Sequence, residues 1–237
     1  MLKESDERHI VALGGGGFSD EPENPLLDDF ILSLTNKLRP KICFVPTASG
    51  DSPGYATCFG TSFPLERAEA VHLALFQRTV KDLRAFVLSQ DIIYVGGGNT
   101  VNMLAIWRAH GLDKILREAW EAGIILCGTS AGALCWFEGG TTDSLGGGLA
   151  PLYDGLGFLP GSFCPHYDSE LEGQPTYRKC VTDGLSGGYA ADDGVGLHFE
   201  GTQLMEAVSS RPSAQAFRVE RVNGVGVETP LVTRFLG

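Results

Sequence analysis

An α/β fold with a mostly parallel sheet and helices on both faces is the fold class predicted for this 237-residue chain. Three observations predict it. Short apolar runs alternate with helical segments through residue 135, the order produced by strand–helix–strand units. Several of these runs are continuously apolar, as in strands buried on both faces. Three of them enter glycine-rich turns, at 14–17, 96–98 and 128–132. Ligands on such sheets bind beyond the carboxyl ends of the strands, so the three turns should converge.

Taken in order, His9 to Leu13 reads as a first buried strand entering Gly14–Gly17. Asn24 and Pro25 form a helix start, a cap followed by proline, with the helix running to about Leu38 before Pro40. Lys41 to Pro46 is a second strand, and 47–64 is a mixed segment with helical potential. Glu69 to Phe76 reads as a third strand, Val80 to Leu88 as a helix, and Asp91 to Val95 as a fourth strand. After Gly96-Gly97-Gly98-Asn99-Thr100, residues 101–110 and 112–122 read as two helices, and Ile124 to Cys127 as the next strand. Beyond 140 short extended pieces dominate, at 161–165, 188–192, 195–199, 202–208 and 216–222, with one helix near 175–184. The chain thus reads as a single domain over 1–237, β-rich from about 186 onward, with no linker and no internal repeat.

An apolar fraction of 43% and a charged fraction of 20% are those of a folded globular protein. A net charge of −11 argues against nucleic acid, which demands clustered Lys and Arg. No run approaches a membrane span, and the charged stretch Met1 to Arg8 lacks the apolar core of a signal peptide. Six cysteines, without C-x-x-C pairing, fit neither a zinc site nor a disulfide framework; a cytoplasmic location follows as an expectation. Cys43 and Cys127 fall inside strands and read as core residues.

The stretch Gly128-Thr129-Ser130-Ala131-Gly132 follows an apolar strand and precedes a short helix-forming run. That is a G-x-S-x-G nucleophile elbow in the context the motif requires. Ser130 must occupy a strained apex, and Gly128 and Gly132 avoid collision with neighbouring backbone. Ala131 opens the helix with an N–H that has no intrahelical acceptor and can face an oxyanion. A second donor is expected from Gly97 or Gly98, with Asn99 a helix cap beside it. A dinucleotide reading of the glycine runs fails, because G-x-G-x-x-G needs glycine at Ser19 or Val101.

Serine needs a base. His9 starts a strand, His72 lies within one, His110 ends a helix, and His198 alternates with Leu197 and Phe199 as on an exposed face. His166 sits after Pro165 in a loop downstream of the elbow, where function-bearing side chains concentrate. Asp143, Asp168, Asp192 and Asp193 are all candidates to orient it, and spacing does not choose among them.

GGGNT at 96–100, G-x-SAGA at 128–133, TTD at 141–143, PH at 165–166 and DDG at 192–194 occur in an order that resembles peptidase E. This serine peptidase family includes α-aspartyl dipeptidase and cyanophycinase. The resemblance spans about 90 to 200. It implies a class I glutamine amidotransferase-like, flavodoxin-like fold, with serine rather than cysteine at the elbow apex. It places Ser130 on the family nucleophile, His166 on the base and Asp193 on the acidic position, with Asp143 on another aspartate of the active-site region. Two features differ from the aspartyl dipeptidases. Thr129 stands where they have tryptophan, and their arginine-containing segment after the histidine is matched only by Arg178 as a candidate. The resemblance therefore implies a broad amino-terminal exopeptidase as readily as an aspartate-specific one.

The expectation is a serine exopeptidase, of aminopeptidase or dipeptidase type, that takes short peptides and uses no cofactor and no metal. Ser130, His166, Asp193 and Asp143 are its catalytic candidates and Gly97, Gly98 and Ala131 its oxyanion donors. Asn99, Thr129 and Arg178 are its substrate-binding candidates. No nucleic acid or membrane partner is expected, and a homodimer is left open. An esterase and a non-catalytic ligand-binding relative are the rival readings.

Overall fold

The computed structural model describes residues 8–169 and 172–237; most of the charged leader read as no signal peptide lies outside them. In chain order the first half carries β1 (His9–Leu13), α1 (Leu26–Ser33), β2 (Lys41–Val45), α2 (Pro53–Ser62), β3 (Glu69–His72), α3 (Leu83–Leu88), β4 (Ile92–Val95), α4 (Thr100–His110), α5 (Leu112–Glu121), β5 (Ile125–Thr129) and α6 (Ala131–Leu134). The second half carries β6 (Phe137–Thr142), β7 (Ala150–Leu152), β8 (Leu159–Cys164), α7 (Gly173–Thr182), β9 (Gly188–Ala191), β10 (Val195–Glu200), β11 (Gln203–Ser209), β12 (Ala216–Val222), β13 (Val225–Leu231) and β14 (Thr233–Phe235).

Two sheets result. The first has the order β14-β11-β10-β1-β5-β4-β2-β3. Its strands β1, β5, β4, β2 and β3 are mutually parallel, and β10 joins β1 antiparallel. The second has the order β13-β12-β9-β8-β6-β7, with β6, β8 and β9 parallel at its centre. β6, β7, β13 and β14 were not legible in the sequence. β6 reads FEGGTT and β13 holds Pro230, and neither is a run of β-branched or aromatic residues. Pro230 is tolerated because β13 is an edge strand.

Alternation along the parallel strands divides the core. Val11, Leu13, Ile42, Phe44, Ile92, Tyr94, Ile125 and Cys127 face α1 and α2, where Phe18, Phe59 and Phe63 complete an aromatic cluster. Ile10, Ala12, Cys43, Val45, Ile93, Val95 and Leu126 face α3, α4, α5 and the second sheet. α7 covers the far side of that second sheet through Tyr177 and Val181 against Val219. Among the described residues no helix is long and apolar enough to cross a membrane.

Three elements end earlier or begin later than the sequence suggests. The helix expected to reach Leu38 stops at Ser33. Ser33 Oγ and Thr35 Oγ1 donate to the carbonyls of Phe30 and Leu32 at 2.6 and 3.2 Å, and such back-bonding competes with helix propagation. The third strand stops at His72, because Asp51 Oδ2 accepts the N–H groups of Leu75 and Phe76 at 2.5 and 2.7 Å. The helix expected from Val80 starts at Leu83, capped by Asp82, whose carboxylate accepts from Ala85 N–H at 2.9 Å. His198, expected on an exposed face, is 5% exposed, with Nε2 3.0 Å from His9 Nδ1. Its strand is internal to the sheet, between β1 and β11, and the Phe30 ring of α1 packs edge-on against the imidazole at 5.7 Å, so that face of the strand is covered.

Asp28, on the buried side of α1, is 2% exposed. Burial pushes its carboxyl from 3.8 up to about 7, opposed by Arg67 and aided by Asp29. A folded-state value above the unfolded one means the folded chain binds the proton more tightly. Stability conferred by that proton is present below pH 4 and is lost as pH rises towards 7. Asp28→Asn is expected to flatten the fall in stability between pH 4.5 and 8, by at most about 4 kcal/mol. Denaturant melts of wild type and variant at the two pH values check this; parallel curves would refute it.

Candidate active site

The three glycine turns converge at the carboxyl ends of β1, β4 and β5. Ser130 sits at the apex between β5 and α6 with φ 56° and ψ −117°, in the positive-φ range a serine rarely adopts. Such a residue typically stores about 1–3 kcal/mol of strain. The surroundings enforce it. Ser130 N–H donates to Leu13 O at 3.1 Å, and Ser130 O accepts from Ala133 and Leu134 N–H at 2.9 Å each. The flanking glycines are obligatory. A Cβ on Gly132 would lie 2.3 Å from Val95 O, and one on Gly128 would lie 2.4 Å from Gly132 O. β4, β5 and α6 can therefore approach only without side chains at these two positions.

His166 is placed by both sheets at once. Its N–H donates to Gly14 O at 3.0 Å, at the end of β1, and the next N–H, of Tyr167, donates to Ala191 O at 3.1 Å, at the end of β9. Its own φ is 53°, another uncommon conformation. Its Nδ1 lies 2.6 Å from Asp193 Oδ1, and the two side chains are 26% and 22% exposed. The imidazole hydrogen bond holds the Asp193 carboxyl below the ordinary carboxylate range against the opposing effect of burial. The charge of His166, a hydrogen bond from Ser169 and the Arg211 guanidinium add to the lowering. Asp168 Oδ1 accepts from Asp193 N–H at 2.8 Å and steadies the turn.

Asp192, one residue earlier, does a different job. Its Oδ2 accepts from Gln215 N–H at 2.9 Å, and burial pushes its carboxyl up to about 6. Asp143 is exposed on the loop after β6 and lines the same small cavity as Ser130, Ala131, Pro165 and His166. The structure thus brings Ser130, His166 and Asp143 to one cavity and sets Asp193 behind the imidazole.

The oxyanion candidates flank Ser130. A Cβ on Gly97 would lie 3.3 Å from Ser130 Cβ, which puts that turn against the serine. Gly97 N–H itself donates to Tyr55 Oη at 3.4 Å. Gly98, with φ 133°, is exposed beside it, and Ala131 holds the first position of α6.

None of the three substrate-binding candidates faces the cavity with an available polar group. Asn99 commits its amide locally: Oδ1 accepts from Asn102 N–H at 2.8 Å and Nδ2 donates to Ser144 O at 2.9 Å. It caps α4 and ties down the loop that carries Asp143. Thr129 is 2% exposed, on the face of β5 shared with Ile125 and Cys127. Arg178 is on α7, outside the second sheet, where its Nε donates to Gly226 O at 3.3 Å.

The turn at 14–17 acquires its role from His166 and Asp193, 151 and 178 residues beyond Gly15. A Cβ on Gly15 would lie 2.0 Å from Asp193 Oδ1 and 2.9 Å from His166 Nδ1. The glycine run signalled close approach in the sequence, but nothing there named what approaches. Gly15→Ala is expected to push the His166–Asp193 pair out of register and lower kcat by roughly 10²-fold or more, since misplacement of about 1 Å costs that much. Its melting temperature should change little by comparison, because the side chains at the collision are partly exposed. Unchanged kcat would refute the crowding.

Known proteins are similar to this chain over most of its length. The model of the family described as Peptidase family S51 matches residues 10–207. Uncharacterized peptidase YgaJ of Bacillus subtilis (strain 168) is 50% identical over 233 residues, 97% of this chain and 100% of that protein. Peptidase E of Pasteurella multocida (strain Pm70) is 26% identical over 193 residues, 76% of this chain and 78% of that protein. The crystal structure of a peptidase from an acI-B1 Actinobacterium superposes with a TM-score of 0.72 at 20% identity, covering 95% of this chain and 94% of that one.

Proposed function

The chain belongs to peptidase family S51 and is a serine peptidase; on that premise we propose that it is an exopeptidase removing residues from the amino end of short peptides. The observation that carries this reading is the 2.6 Å His166–Asp193 pair beside a small cavity that also holds the strained Ser130. Ser130 Oγ attacks the scissile carbonyl carbon while His166 Nε2 takes its proton. Asp193 accepts from Nδ1–H, which fixes the tautomer and stabilises the imidazolium. The carbonyl oxygen becomes an oxyanion held by the N–H groups of Ala131 and Gly98; one such donor is typically worth about 3 kcal/mol in the transition state. We assign Gly98 rather than Gly97 because the latter's N–H is directed to Tyr55 Oη. His166 then protonates the departing amine, and water repeats the sequence on the acyl-enzyme.

Asp143 is assigned to the substrate rather than to His166. An exposed carboxylate at the cavity rim is placed to pair with the α-ammonium of a free peptide. A panel of dipeptides and tripeptides, each offered with a free and an acetylated amino terminus, tests the reading. Hydrolysis confined to the free peptides is expected. Equal cleavage of acetylated peptides would overturn the exopeptidase assignment, and hydrolysis of acyl esters alone would favour an esterase.

A further inference from the structure

The loop between β11 and β12 brings a cation to the back of the His166–Asp193 pair. Arg211 Nε donates to Glu21 Oε1 at 2.5 Å, and Ser210 Oγ donates to Glu21 Oε2 at 2.6 Å. Glu21 follows the glycine turn, whose Gly15 carbonyl accepts Gly194 N–H at 3.1 Å, and Ser210 N–H donates to Gly194 O at 2.8 Å. The Arg211 stem lies on Gly194 itself: a Cβ there would sit 3.0 and 3.1 Å from Arg211 Cγ and Cδ. Gly194 is the residue after Asp193, so the clamp fixes the turn that presents the carboxylate. The guanidinium acts on Asp193 electrostatically, behind the larger effect of the His166 hydrogen bond. In return Asp193 and Asp168 raise the Arg211 guanidinium, after Glu21.

We propose that Arg211, held by Glu21, is a positioning residue of the reaction: it fixes the Asp193–Gly194 turn and offsets the Asp193 charge, so that His166 sheds its proton at a lower pH than beside an uncompensated carboxylate. The proposal rests on the reading of His166 as the base. Among the described residues the other charges named around the pair are negative. Asp168 and Asp192 flank it, Asp143 lies across the cavity, and Asp20 and Glu21 come from the glycine turn, where Asp20 Oδ2 accepts Gly16 N–H at 2.9 Å. Arg211 supplies the opposing charge. Arg211 does not line the small cavity that holds Ser130 and His166, and its stem and Nε go to Gly194 and Glu21, so its action is assigned through Asp193.

The test is the titration of His166 by NMR in the full chain, its imidazole signal identified as the one missing from His166→Gln. Arg211→Gln is expected to raise the midpoint by roughly 0.2–0.7 of a pH unit, the size of a partly screened charge pair. Arg211→Lys, which keeps the charge, should stay near the wild-type value. The rising limb of kcat/KM against pH should move with the titration in the Gln variant and return in the Lys variant. Where the Gln variant folds poorly, Arg211→Met keeps the stem on Gly194 and serves in its place. An unmoved midpoint in the neutral variants, or an equal shift in Arg211→Lys, would overturn the proposal. The titration needs no substrate, so a wild-type chain inactive on peptides would sink only the exopeptidase reading.

Discussion

Ser130→Ala is expected to lower kcat for peptide hydrolysis by roughly 10⁴- to 10⁶-fold while leaving the fold intact, because the hydroxyl is the nucleophile we propose and alanine offers none. The companion variant is more informative. Ser130 holds φ 56° and ψ −117° in a frame fixed by the Leu13, Ala133 and Leu134 hydrogen bonds. Glycine adopts that conformation without Cβ strain, at the cost of greater freedom in the unfolded chain. Ser130→Gly should therefore be inactive yet more stable than wild type, by about 1 kcal/mol. Alanine, which keeps Cβ, should not share the gain. Initial rates on a susceptible dipeptide and denaturant melts of the three proteins make the comparison. Wild-type rates in Ser130→Ala would remove the nucleophile assignment. A Ser130→Gly protein less stable than Ser130→Ala would remove the strain argument.

Asp193→Asn should lower kcat by roughly 10³- to 10⁴-fold, because an amide at that place presents the wrong partner to His166 Nδ1 and favours the unproductive tautomer. Asp143→Asn should act mainly on KM, since its carboxylate is exposed at the rim and His166 is paired elsewhere. The KM rise should vanish for substrates lacking the α-ammonium. The two carboxylates are thus separated by kinetics: if Asp143→Asn cost kcat and Asp193→Asn did not, their roles would have to be exchanged. Asp193 also carries a pH signature of its own. Its carboxyl is held below the ordinary range, so the stability it contributes is present above the unfolded value and is lost as pH falls through the folded one. Asp28 and Asp192, held above that range, work in the opposite sense.

Four of the five parallel strands, β1, β2, β4 and β5, were legible because each is buried on both faces and reads as a nearly continuous apolar run, whereas β3, EAVH, is a largely exposed edge strand. The elbow was legible because its demand is local: glycines two residues either side of an apex, after a strand. Strands of the second sheet such as β6 and β13 were not, since β6 spends its positions on Gly139 and Gly140 under crowding from Leu152 and Phe163, a tertiary requirement. The same cause misdirected the reading of single residues. Asn99, Thr129 and Arg178 lie near the motifs in sequence, yet one is consumed by a helix cap, one faces the opposite core, and one lies outside the second sheet.

The sequence by itself determined that an apolar strand must break into a strained serine turn, and that glycine must stand wherever three such turns meet, because those constraints act within a few residues. Only the tertiary structure decided which of four aspartates meets His166 and that Gly15 makes room for the pair. It alone showed Arg211 behind them too, since these partners lie from 27 to 190 residues apart in the chain and only the packing of the two sheets against each other brings them within reach.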